Sequence, residues 1–111
     1  SNKDAKNALE LDSVNLSALD NRVVTYENTN GGATHEDTYY PNGMLGNTTG
    51  KDGTWIMEAN GNDLTVTTIP PASTVTKYLT GTVSAGTLEK GKTYPTNGDS
   101  FKVTLIEETV C

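Results

Sequence analysis

Residues 54–69, TWIMEANGNDLTVTTI, are the stretch on which the fold turns. Two alternating runs flank Asn60-Gly61-Asn62-Asp63. A type I′ turn needs positive φ at both central residues, which Asn tolerates and Gly adopts freely. Asn-Gly between alternating runs therefore reads as a β-hairpin. In the second run Leu64, Val66 and Thr68 share one face, and Thr65, Thr67 and Ile69 the other. In the first, Trp55, Met57 and Ala59 point together. Trp55 is the only tryptophan, so it is expected to anchor the core.

Downstream, Pro70-Pro71 ends the hairpin's second strand, because proline has no N–H for the ladder. Alternation resumes over residues 74–84, with Gly81 a candidate bulge, and again over residues 100–111. There Phe101, Val103 and Leu105 are expected to face inward, with Ile106 on the outer face. The expected strands are 55–59, 64–69, 75–83 and 101–110.

Upstream, residues 1–21 carry two apolar stripes at helical spacing. One holds Ala5, Ala8, Leu9, Leu16, Leu19 and Val23. The other, on the far side, holds Leu11, Val14 and Ala18. The pattern predicts an N-terminal helix, against a strand reading in which Leu9 and Leu11 alternate. Residues 22–27 either end that helix or form a short strand. Residues 28–53 read as one long Gly/Asn-rich loop, functional or mobile by its length. The expected fold is α+β: one domain over residues 1–111, with the helix packed on an antiparallel sheet of about four strands. An all-β sandwich is the alternative. The expected core is Leu9, Leu16, Leu19, Val24, Trp55, Met57, Leu64, Val66, Val75, Leu79, Val83, Phe101, Val103 and Leu105.

Composition narrows the function classes. Only 33% of the 111 residues are hydrophobic, so the core must be thin, while 19 Thr and 11 Asn suit half-exposed strands and turns. The net charge is −6 and Arg22 is the only arginine, which argues against nucleic acid as a partner. No apolar run is long enough to span a membrane as a helix. Cys111, the one cysteine, has no partner within the chain. It is expected to finish the last strand as a small apolar residue, with a bridge between chains as the alternative. The Thr/Asn/Gly-rich composition suggests an extracellular or cell-surface location.

His35, beside Glu36 and Asp37, lacks a second His or a thiolate at ligand spacing, so a solvated loop residue is the default. No calcium loop, nucleophile elbow, Walker loop or dinucleotide fingerprint occurs. No metal and no cofactor are expected. Asn15 and Asn47 head N-x-S/T acceptor patterns that chance explains in an Asn/Thr-rich chain. Tyr26, Tyr39, Tyr40, Tyr78 and Tyr94 are candidates for a sugar-stacking platform. No nucleophile, base and orienter can be named together, so no enzyme is expected. A cleft with convergent titratable side chains would count against that expectation.

Ala18-Leu19, Tyr26, Asn30-Gly31 and Tyr40-Pro41 resemble the head of a type IV pilin or pseudopilin over about residues 8–41. The long apolar helix of that family and its second cysteine are missing. The resemblance implies a non-catalytic structural subunit or accessory head of an extracellular filament. Its partners would be other protein subunits, assembling through the stripe of Leu11, Val14 and Ala18 and through loops. The first residues, SNKD, resemble the segment just after the lipidated cysteine of bacterial surface lipoproteins. That resemblance implies the alternative, a monomeric glycan- or protein-binding β module.

Overall fold

The computed structural model describes residues 2–11, 14–60, 63–73, 75–82, 87–96 and 98–110. The chain opens with strands β1 (Asn2–Lys6) and β2 (Ala8–Glu10), then β3 (Arg22–Asn28), β4 (Thr34–Tyr39) and β5 (Met44–Gly46). The hairpin strands β6 (Gly53–Asn60) and β7 (Asp63–Ile69) come next. The remainder is β8 (Lys77–Thr82), β9 (Thr87–Glu89), β10 (Thr93–Thr96) and β11 (Asp99–Val110).

Among the described residues the main sheet runs β1-β11-β3-β4-β5-β6-β7-β8, with β10 also on β11, and every pairing is antiparallel. β2 and β9 form a separate pair. The sheet curls until β8 lies against β10, where the Tyr78 N–H donates to Thr96 Oγ1 at 3.3 Å. The result approaches a closed barrel, a geometry that hides sheet edges.

The hairpin forms where its sequence places it. Asn60 pairs with Asp63, bracketing Gly61 and Asn62, which lie outside the described residues. Leu64, Val66 and Thr68 are buried, as are Trp55 and Met57, while Ala59 is exposed. Trp55 meets Tyr39 edge-on at 5.5 Å and its Nε1 donates to the Tyr40 carbonyl at 2.9 Å. An indole buried with its one donor satisfied is a strong anchor.

The N-terminal helix is not there. Among the described residues there is no helix, and the fold is all-β. Leu9 instead faces Leu88 across the β2–β9 pair. Between Val14 and Asn21 the chain makes successive turns, with Ala18 N–H to Asn15 O, Asp20 N–H to Ser17 O and Arg22 N–H to Leu19 O. Asn15 Oδ1 also accepts from the Ser17 N–H, and Asn21 sits at φ 63°. Short polar side chains that bond the nearby backbone compete with helix continuation. Leu19, Ala18 and Leu11 still reach the core, but from turns and a strand end.

The supposed loop over residues 28–53 holds β4 and β5. The core differs from expectation too. Leu16 and Val75 are exposed, and Val83 lies outside the described residues, as does Cys111. Leu45, Leu88, Tyr39, Tyr94 and Ile106 are buried instead. No shift occurs at Gly81, which pairs with Leu64 in an unbroken β7–β8 register. The bulge is in β11, between Val103 and Leu105. One extra residue reverses side-chain phase, so Ile106 turns inward to full burial and Leu105 is only half-buried.

Candidate functional site

β4 carries the sequence T-H-E-D-T-Y. Alternation puts His35, Asp37 and Tyr39 on one face. Tyr39 is pinned inward by Trp55, so Asp37 is carried inward with it. Register then sets Asp37 beside Val24, whose other neighbour is Ile106. The next row is His35, Tyr26 and Val103. A carboxylate is thereby held 5% exposed on a mainly apolar wall.

The Tyr26 hydroxyl donates to Asp37 Oδ2 at 2.8 Å. Burial pushes the Asp37 carboxyl above the usual carboxylate range. The bond from Tyr26 and the electrostatic influence of His35 and Lys77 offset part of that rise. Burial, then the facing Asp37, pushes the Tyr26 phenol far above its ordinary value, so it stays a neutral donor. Tyr26 also stacks at a tilt on His35, centroids 5.4 Å apart, and on Phe101 at 4.9 Å. Phe101 in turn meets Tyr94 at 6.0 Å. An aromatic row therefore crosses β4, β3, β11 and β10.

Two spaces converge on this group. A small cavity of about 30 Å³ lies among Tyr26, Asp37, Tyr39, Lys77, Leu79 and Phe101, room for about one water. Outside it, a cleft of about 560 Å³ runs from Tyr26, His35 and Asp37 to Thr48, Pro71 and Lys77. That is the size of a small-ligand site. It opens where β5 turns away from β4 after Gly46, because β4 pairs with β5 only through Thr38 and Tyr39. A second, more open groove lies at Tyr40, Pro41, Met44 and Lys51.

The residues singled out from sequence are dispersed. Leu11 and Ala18 are in the core and Val14 is exposed, so they form no shared stripe. The five tyrosines make no single platform: Tyr26 lines the cleft and, with Tyr39 and the part-exposed Tyr78, the smaller pocket, while Tyr40 lines the second groove and Tyr94 is buried. No group of three or more His, Cys, Asp or Glu is set to hold a metal among the described residues. No helix there is long and apolar enough to cross a membrane. His35 lies on a strand at the cleft, not in a loop. Sequence names Asp37 only as a neighbour of His35 and gives Lys77 no role, since both reach one cleft only when β4 and β8 are brought together.

Comparison with protein-family models, with curated proteins and with solved structures returns no match, so the reading of the cleft rests on its own chemistry.

Proposed function

We propose that this domain is an extracellular, non-catalytic binding module that takes a neutral polyhydroxylated ligand, a saccharide, in the cleft between β4 and β8. One observation carries the reading: a buried carboxylate, Asp37, stands where the cavity and the cleft meet. Its ionised form gains nothing from burial and costs stability, the mark of a group kept for a task. A carboxylate accepts hydrogen bonds from sugar hydroxyls. The Tyr26 and His35 rings offer faces for a pyranose, and Thr25, Thr34, Thr48 and Thr49 line the cleft with hydroxyls. The net charge of −6 disfavours polyanions.

The cleft brings together the titratable side chains of Tyr26, His35, Glu36, Asp37 and Lys77, which counts against the expectation of no enzyme, so the test reads turnover as well as binding. Burial, then Asp37, keeps the Tyr26 phenol neutral, a poor nucleophile except where Asp37 takes its proton. Glycoside hydrolysis needs two carboxylates framing the bond. Glu36 also lines the cleft, but it alternates to the opposite face of β4 from Asp37. The filament reading loses its helical warrant, because Leu11 and Ala18 are core residues.

The test is a panel of neutral oligosaccharides followed by NMR of the Tyr26 and His35 signals, with calorimetry on any binder. Asp37→Asn should weaken binding about tenfold, roughly 1.4 kcal/mol. Lys51→Ala in the second groove should leave it unchanged, and the sugar should be recovered intact. A panel that moves neither ring signal would defeat the saccharide reading. Cleaved sugar would defeat the non-catalytic one.

A further inference from the structure

β1 is a strand of unusual character. Its sequence, NKDAK, is polar in both alternating positions but for Ala5. It sits on the outside edge of β11, from Asn2 opposite Val110 to Lys6 opposite Ile106. Among described side chains it adds nothing to the core, and Ala5 is exposed. Lys6 reaches Glu108 at 3.8 Å with both side chains about two-fifths exposed, an ion pair of small value. The five-residue ladder on β11 holds β1 to the sheet.

The pairing of a strand that is polar on both faces is weakly specified, because no apolar face fixes its place. One residue, Asn7, separates it from β2, and the Lys90 N–H holds the Asn7 carbonyl at 2.9 Å. A short hinge clamped on one side favours exchange of the strand beyond it. The receiving edge cannot stay empty, since residues 106–110 of β11 would present unpaired backbone groups.

We propose that β1 exchanges between copies of this chain, each β1 docking on the β11 edge of another copy in the register it uses at home. The partner is a second copy because the groups that pair are the same within and between chains. Reciprocal exchange closes a dimer, and one-way exchange extends an open string. The inference stands apart from the saccharide reading and uses no residue of the cleft.

Cross-strand cysteines test it in the full chain. Ala5 and Glu107 are Cα partners, close enough for a disulfide in an antiparallel ladder. The variant carries Ala5→Cys, Glu107→Cys and Cys111→Ser, and near-ultraviolet circular dichroism of Trp55 confirms its packing. Oxidation at rising protein concentration, read on non-reducing gels, should convert the monomer band into dimers and higher species. Inserting Gly-Ser-Gly after Asn7 relaxes the hinge and should restore the bridged monomer. Bridges confined to monomers at every concentration would overturn the proposal. So would multimers that persist equally with the longer hinge.

Discussion

Asp37 is the residue whose chemistry differs most from its surroundings. Its carboxyl titrates higher in the fold than in the unfolded chain. Between those two values the native state holds more protons, so stability falls as pH rises through that window. Below the unfolded value both states are protonated and the effect vanishes. Asp37→Asn keeps an acceptor for Tyr26 and removes the charge. It should leave stability nearly unchanged at pH 3 and raise it at pH 7, as read from urea midpoints at the two pH values. A lower midpoint at pH 7 would show that the ionised carboxylate stabilises the fold. Gly53 is decided by space instead. A Cβ there would lie 2.6 Å from the Ile69 carbonyl oxygen and 2.9 Å from that of Leu45, both backbone atoms that cannot swing away. Gly53→Ala should cost about 1–3 kcal/mol, the range of overpacked cores, in the same urea assay.

At the scale of elements, the bulge in β11 does most to set the interior. Thr104 is the extra residue between Val103, opposite Tyr26, and Leu105, opposite Thr25, and its hydroxyl donates to the Thr25 carbonyl at 3.2 Å. Past it, Ile106 faces Val24 at full burial. Ile106→Ala should destabilise by about 2–5 kcal/mol. Leu105→Ala, at a half-buried position, should cost clearly less. The reverse order in equilibrium unfolding would mean that the strand keeps a simple alternation through Thr104. Arg22 ties this half of β11 to its neighbours: its guanidinium reaches Glu108 at 2.9 Å and its Nε donates to the Ala18 carbonyl at 3.4 Å.

Over the whole molecule, closure of the curled sheet rests on β8 meeting β10. There, among the described residues, a backbone N–H donates to a threonine hydroxyl, Tyr78 to Thr96, in place of a ladder. Seams with few backbone bonds open first in local unfolding. Thr96→Val removes the acceptor while keeping the shape. Hydrogen exchange at the Tyr78 amide should then accelerate, with the Met57 and Val66 amides in the central hairpin unchanged. Equal acceleration at all three would show that the seam opens only with global unfolding.

The hairpin was legible because all its local signals agree: alternation, a turn dipeptide, and prolines that stop it. Trp55 as an anchor was legible too, and so was the extended character of β8 and β11. The N-terminal segment was not, because its apolar spacing fits a helix while its Asn and Ser side chains favour turns. The outcome turned on Leu88, which β9 presents to Leu9 from far along the chain. β4 went unread for a different reason. One face carries His35, Asp37 and Tyr39, of which Asp37 and Tyr39 are buried, so the alternation is real but half of what it buries is a carboxylate. Hydrophobic periodicity cannot detect a strand that buries a carboxylate. Local sequence thus determined which runs extend and where they stop. Only tertiary structure decided that Tyr39 on Trp55 draws Asp37 inside, that Tyr26 is there to meet it, and that a bulge gives the last strand its phase, because each depends on a partner distant in sequence.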